Sequence, residues 1–424
     1  MCFCSVHAQQ ELSLSDAIGL TLENNFQIRL ADRQAEIAQN NNAWGQAGAL
    51  PRFDLNGNFN YNITDNSENP TSFIQEELVS TGLTYGASVN WTLFDGFGMF
   101  VQKDRLELLE ALSEGNSAVV IENAIQATIL AYFNAQLQAE KKEVLMNVIA
   151  LSEDRLKYEE TKKELGASTT FETLQFQNAI LTDSTSLLTQ ELAYDNAIRN
   201  LNLLMVQSLD TQWKLTSPLE QTDADYQLES LIAKANADNN TLRNQMVNQL
   251  ISAKDLKLAQ AAMYPVVGFN AGYNNTANTF EAGDLSGDGR TLNYFAQFTL
   301  SFNLFDGGRT RRAIKNARIN EEITNLSMGE LKFNVENELK NTFRLFEAQK
   351  QIEDLSEKSV ENSQRNLQIA EERFKTGAIN SFNYRDAQVA YLRSASNLLE
   401  AQYNALTSKT ALVRLTGGLV SENP

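Results

Sequence analysis

The chain has 424 residues, 42% of them hydrophobic, and carries 53 acidic against 35 basic side chains for a formal net charge of −18 at pH 7. That apolar content supports a packed core and argues against wholesale disorder, while the acidic balance leaves no basic face for nucleic acid. Mean hydropathy is −0.34 and no run of about 18 apolar residues occurs, so any membrane crossing must be made by strands rather than helices.

Residues 1–8 end in a small residue, Ala8, and are expected to be the remnant of a secretory signal. They hold both cysteines, Cys2 and Cys4, and the one histidine, His7. A mature chain beginning near Gln9 would carry neither thiol nor imidazole. That excludes Cys/His nucleophiles, histidine proton transfer and Cys/His zinc sites.

From residue 9 the sequence reads as a duplicated unit. Leu93-Phe94-Asp95-Gly96 recurs as Leu304-Phe305-Asp306-Gly307; Gly166-Ala167 recurs as Gly377-Ala378 and Phe171 as Phe382, all at one offset. Pro51 matches Pro265 and Asn24-Asn25 match Asn239-Asn240 at slightly larger offsets. The first repeat, 9–206, is expected to run as a helix, strands over 52–62 and 82–94, a long helix over 96–165 and a return helix over 168–206. A linker, 207–227, holds Trp213 and Pro218. The second repeat, 228–424, has a helix, strands over 266–275 and 291–305, a long helix over 307–376 and a return helix over 380–417. No proline falls inside an expected helix, as the lost hydrogen bond and ring clash require.

The four strands alternate. Phe53, Leu55, Phe59 and Tyr61 face one way in the first, against Asp54, Asn56, Asn58, Asn60 and Asn62. Val89 and Trp91 lie on the apolar face of the second, Phe269 on that of the third, and Phe298, Leu300 and Phe302 on that of the fourth. These residues are read as lipid-facing, because the opposite faces are rich in asparagine and nearly uncharged. Each strand is long enough to cross an outer membrane when tilted. Four strands cannot close a barrel, and open edges are not tolerated in lipid, so the barrel must be shared between subunits.

The long helices would each reach roughly 100 Å at 1.5 Å per residue, wider than any globular core. Their apolar residues recur at spacings of three and four, as in Val144, Val148 and Leu151, a coiled-coil seam. Asp95 and Asp306 are expected N-caps for these helices. Gly166 and Gly377 end them, and Thr169 with Glu172 forms a capping box for the first return helix. The turns Leu165-Gly166-Ala167-Ser168 and Thr376-Gly377-Ala378-Ile379 are small, so another hairpin can approach them closely. Asp284 to Gly289 resembles the start of a calcium loop but has Phe295 where the bidentate glutamate belongs, so it is read as an external loop and not as a metal site.

A duplicated hairpin-and-long-helix unit with a repeated Leu-Phe-Asp-Gly motif resembles the TolC-like outer membrane efflux protein family from about Glu11 to Gly418. The resemblance implies a mainly α protein with membrane β: a homotrimer whose subunits contribute four strands each to one 12-stranded β-barrel, above a periplasmic α-helical tunnel. It implies a passive exit channel for a tripartite efflux pump, docked through the tips to a periplasmic membrane-fusion adaptor and an inner-membrane transporter. A type I protein secretion duct is the nearest alternative. Family members carry acidic residues just after the hairpin tip, around the closed entrance. Here those positions are Asn383 and Asp386, with Glu172 and Gln175 matching in the first repeat, a weakened acidic set.

An enzyme is not expected, since no nucleophile elbow or phosphate loop occurs, and no cofactor or metal is implied. A coiled-coil surface protein would show continuous heptads without two duplicated hairpins. Nothing in the sequence identifies the cargo, the pump or the adaptor.

Overall fold

The computed structural model describes residues 10–219 and 226–419. The expected signal remnant, with Cys2, Cys4 and His7, lies outside the described residues, as does part of the expected linker. In chain order the elements are β1 (Gln10–Leu12), α1 (Leu14–Asn24), α2 (Phe26–Asn41), β2 (Arg52–Asp65), β3 (Glu77–Phe94), α3 (Gly98–Glu164), α4 (Thr170–Met205), β4 (Trp213–Leu215), α5 (Leu228–Asp238), α6 (Asn240–Ala261), β5 (Val266–Ala282), β6 (Leu285–Ser301), α7 (Arg309–Lys375) and α8 (Ser381–Leu415). No helix among the described residues is long and apolar enough to cross a membrane.

The chain divides into two compact units, and α3 and α7 contribute residues to both. The smaller unit, Gln34–Ser113 with Gln245–Met328, holds a four-stranded antiparallel sheet in the order β2-β3-β5-β6. β2 and β6 are therefore its edges. The strands exceed the sequence expectation: β3 starts at Glu77 and β5 runs on to Ala282. Asparagine and threonine interrupt the apolar pattern there, while the backbone ladder continues through them.

The expected external loop over Asp284–Gly289 is a correction. The chain reverses at Gly283, which has φ 57°, and Leu285 already begins β6, with Asp288 opposite Thr279. A β-bulge between Thr92 and Phe94 brings Phe94 opposite Val267. The bulge takes Leu93 out of the strict alternation, the expected effect of one extra residue.

The larger unit holds α1, α4, α5, α8 and the parallel β1–β4 pair, while α2 and α6, like α3 and α7, are divided between the units. A cluster around Tyr132, Ile198, Leu201, Met205 and Trp213 forms its main core. The Tyr132 hydroxyl donates to the Leu12 carbonyl at 2.8 Å and accepts from the amides of Thr216 and Ser217 at 3.1 and 3.0 Å.

The duplication is also a duplication of hydrogen bonds. Asn25 Nδ2 donates to the Leu204 carbonyl and Asn239 Nδ2 to the Leu415 carbonyl, both at 2.9 Å. Their Oδ1 atoms accept from Gln27 N and Leu242 N, starting the next helix. Asn25 thus pairs structurally with Asn239, one residue off the sequence match of the two Asn-Asn pairs.

Candidate functional site

Three places collect the residues singled out by sequence: the two faces of the sheet, the strand-to-helix junctions, and the two helical hairpin tips.

On the sheet, register assigns the faces. Phe53 lies opposite Val89, which lies opposite Ala271 and then Ala296. The next row outward on this face is Leu55, Ala87, Tyr273 and Tyr294, and Trp91, Phe269 and Phe298 form the row below. The wall is bare: Leu55 is 89% exposed and Phe298 71%. Phe59, Tyr61 and Leu300 are exposed on the same face, and Val89 and Phe269 are half-buried. Phe302 falls one residue beyond the end of β6, so it continues the face without belonging to the ladder.

The other face is a lattice of small polar groups. Asn56, Gly86, Asn274 and Asn293 form one row, and Asn58, Thr84, Thr276 and Thr291 the next. Thr84 and Thr276 hydroxyls meet at 3.1 Å. Gly82 lies between Asn60 and Asn278; a Cβ there would sit 2.4 Å from Asn60 Oδ1 and force that carboxamide to move. The charges on this face are Arg52 and Asp54, which pair at 3.0 Å. Phe280 and Phe295 also lie here, opposite Gly287 and Gly272.

The Leu-Phe-Asp-Gly junctions differ from the expected N-caps. Each helix starts three residues after its aspartate, past a left-handed pair: Gly96 and Phe97 at φ 71° and 67°, and Gly307 and Gly308 at 67° and 79°. Asp306 Oδ2 accepts from Thr310 N at 2.8 Å and Thr310 Oγ1 at 2.6 Å. Those bonds hold the Asp306 carboxyl below the usual carboxylate range. Asp95 Oδ1 is buried without a hydrogen-bond partner.

At the tips, both long helices end in the same backbone motif. Ala167 N donates to the Lys162 carbonyl and Ala378 N to the Arg373 carbonyl, each at 2.8 Å. Gly166 and Gly377 take φ 74° and 75°, where a side chain would be strained. Leu165, Gly166, Ala167, Thr376, Gly377 and Ala378 are exposed, and Ser168 and Ile379 half-buried.

The four positions read as an acidic gate have different surroundings. Glu172 is occupied in the capping box, accepting from Thr169 N at 3.3 Å and Ser168 Oγ at 3.0 Å. Gln175 Oε1 accepts from Ser381 Oγ at 2.6 Å. Asp386 and Asn383 are exposed, and with Asn366, Ile369 and Arg373 they line a shallow cleft of about 390 Å³.

Sequence reasoning missed the groups that bind the tips together. Arg385 makes a bidentate pair with Asp183 at 2.6 and 2.7 Å, and the Asp183 side chain is only 4% exposed. Arg155 and Lys375 both reach Glu371. The Lys375 hydrogen bond is the main cause holding its carboxyl low; burial opposes it, and the Arg155 charge adds to the lowering. Glu159, 1% exposed, takes Lys162 at 3.2 Å and the Ser168 hydroxyl. Phe374 stacks on Tyr384 with centroids 5.3 Å apart, beside Phe176. Phe171 and Phe382, matched in the duplication, meet at 5.7 Å. Aromatics at turn starts were a visible signal for this cluster. The Asp183–Arg385 pair, 202 residues apart, had none.

The sequence profile described as outer membrane efflux protein matches residues 17–205 and 231–418. Among solved structures, the chain resembles the Campylobacter jejuni CmeC outer membrane channel, with a TM-score of 0.77 at 16% identity over 96% of this chain and 85% of that one. The outer membrane protein VceC of Vibrio cholerae gives 0.73 at 17% identity, covering 96% of each chain. The open state of the Neisseria gonorrhoeae MtrE outer membrane channel gives 0.71 at 15% identity, over 96% and 89%. At such identities the likeness is one of fold. No curated protein matches the sequence.

Proposed function

We propose that this chain, which belongs to the outer membrane efflux protein family, is the channel subunit of a tripartite efflux pump. Members of the family are channels of the outer membrane rather than enzymes. The observation that carries the reading is the sheet: one bare apolar face, one asparagine-lined face, and two unpaired edges, β2 and β6. A sheet cannot sit in lipid with open edges, because no water satisfies the exposed N–H and C=O groups.

Closure comes from other copies of the chain. Within the subunit, β3 of the first repeat pairs with β5 of the second, Val89 opposite Ala271 and Trp91 opposite Phe269. Matching Gly96 with Gly307 and Pro51 with Pro265 carries that register to the free edges. Leu300 of β6 then falls opposite Gly57 of the partner subunit, and Phe302 opposite Leu55 of the partner subunit. Both pairs keep apolar residues on the apolar face, which supports the match. A homotrimer closes twelve strands. The asparagine face lines the pore, and Phe53, Leu55, Phe59, Tyr61, Val89, Trp91, Phe269, Phe298, Leu300 and Phe302 face lipid.

The 67-residue helices α3 and α7 reach about 100 Å at 1.5 Å per residue and form the periplasmic part of the channel. Their exposed turns, 165–168 and 376–379, receive the periplasmic adaptor, which links the channel to an inner-membrane transporter. With Glu172 and Gln175 engaged locally, Asp386 beside Asn383 is the acidic group left to face an entrance.

The test is planar-bilayer recording of the purified protein together with cross-linking of a Leu300→Cys, Gly57→Cys double variant. Discrete conductance and covalent trimers are the expected results. A monomer without conductance overturns the channel reading. Conductance without cross-linking overturns only the register.

A further inference from the structure

The apolar face of the sheet is interrupted by one cation. Arg290 shares that face with Leu292, Tyr294, Ala296, Phe298 and Leu300 on alternate residues of β6. From Leu300 to Arg290 the strand climbs about 34 Å at 3.4 Å per residue, or about 25 Å along the bilayer normal at 45° tilt, the height of an outer-membrane apolar band. α3 and α7 follow the ends of β3 and β6 at the Leu300 side, and the reversal at Gly283 lies at the other. On the channel reading, Arg290 therefore stands at the extracellular rim of the hydrocarbon.

Its surroundings are built for it. Asn275, 4% exposed on an otherwise apolar face, accepts from Arg290 Nε at 3.0 Å. Asn275 Nδ2 donates to Tyr85 Oη at 2.7 Å, and Arg290 Nη2 donates to the same hydroxyl at 3.3 Å. Both partners are neutral. Among the described residues no carboxylate lies within ion-pair distance of Arg290. The Tyr85 hydroxyl keeps its own proton to donate, and the guanidinium keeps its Nη1 donors and one on Nη2. These donors stand at a membrane rim beside a positive charge that no carboxylate among the described residues pairs.

We infer that Arg290, held by Asn275 and Tyr85, is a binding site on the outside of the barrel for the phosphate of an outer-leaflet glycolipid. A planar guanidinium suits phosphate oxygens in pairs, and lipid headgroups are what a rim cation of a membrane protein meets. Leu292 and Tyr294 below it offer the acyl chains an apolar wall. Asp288 and Glu281 lie farther out on the same face, beyond the depth of the phosphate. They oppose anions there, so the site takes a phosphate at the hydrocarbon boundary and not one from solution.

This inference rests on the channel reading, and native mass spectrometry of the detergent-solubilised trimer separates the two. The probe is a bisphosphorylated lipid A, compared with its dephosphorylated form and with phosphatidylglycerol. Wild type should retain the phosphorylated glycolipid at least ~10-fold better than Arg290→Gln, with Arg290→Lys between and Tyr85→Phe modestly weakened. Both Arg290 variants should stay trimeric with wild-type conductance. Equal retention by wild type and Arg290→Gln, or equal retention of the dephosphorylated lipid, overturns the site while leaving the channel intact. Stronger retention of phosphatidylglycerol overturns the choice of glycolipid. Loss of the trimer in the wild type itself defeats the channel reading instead.

Discussion

Two clusters in the helical unit are held by opposite chemistry. Around Tyr132 the bonds are neutral and mostly end on backbone: Tyr132 serves Leu12, Thr216 and Ser217, Asn25 and Asn239 close the helix breaks, and Trp213 Nε1 donates to the Asn202 side chain at 2.6 Å. At the tips the bonds are ionic, Asp183–Arg385, Glu371–Arg155 and Glu159–Lys162, laid over aromatic rings. A backbone-directed neutral bond is indifferent to pH and salt. An ion pair can be broken by either, and by a competing charged partner. In the proposed channel, the cluster around Tyr132 is the fixed part and the tip region the part able to rearrange.

The largest test of that contrast is Arg385→Ala. It strands the buried Asp183 carboxylate, and removing one member of a buried pair costs about 3–5 kcal/mol. Hydrogen exchange should show that loss of protection at the starts of α4 and α8, with none around Tyr132. Uniform loss across both regions would erase the distinction between them.

Tyr132→Phe should follow at roughly 1–3 kcal/mol, because it leaves the part-buried Ser217 amide without its acceptor, while the Thr216 amide keeps the Leu12 carbonyl at 3.1 Å. Protection should fall around β1 and β4 and stay unchanged at the tips. A loss under about 0.5 kcal/mol would mean that the Ser217 amide finds another acceptor.

The pH response should run in opposite directions in two places. Glu371 has a lowered pKa, so its contribution is present above the ordinary carboxylate range and is lost as pH falls through the folded-state value. Glu122 is 5% exposed. Burial pushes its carboxyl up, and Asn240, Arg414 and Arg243 only partly offset that. Its contribution therefore falls as pH rises from the ordinary range through the raised value. On acidification from neutral, protection should drop beside Glu371 and rise beside Glu122, and Glu122→Gln should abolish the second change alone. A parallel response at both sites would refute the assignment.

The smallest effect belongs to Tyr384→Phe. Tyr384 is as fully buried as Tyr132, but its hydroxyl has no hydrogen-bond partner of good geometry among the described residues. The change should lie within about 0.5 kcal/mol of zero, since it removes a polar atom that nothing satisfies. A cost comparable to that of Tyr132→Phe, read by the same exchange measurement, would show that the hydroxyl is engaged in solution.

What was legible came from local rules. Alternation of Phe53, Leu55, Phe59 and Tyr61 with asparagines assigned the sheet faces, since a period of two maps directly onto them. Gly166 and Gly377 marked the tips, and Thr169 with Glu172 marked a cap, because such motifs close within four or five residues. Those local rules failed where local and distant preferences compete. Asp95 looked like a cap, but Gly96 and Phe97 turn left-handed before α3 begins. Glu172, read both as a cap and as a gate residue, forms the cap through its Oε2.

The amino-acid order by itself determined the duplication, the long helices and the two-faced strands. All of these follow from periodicity and from the fixed hydrogen-bonding demand of the backbone. Only the tertiary structure decided that Arg385 takes Asp183, that Arg155 takes Glu371, and that Asn275 steadies Arg290 on an apolar wall. Those choices join residues far apart in the chain or on different strands, and many carboxylates and amides of equal local character compete for each partner. The register of the packed helices and paired strands selects one, and that register is a property of the whole fold.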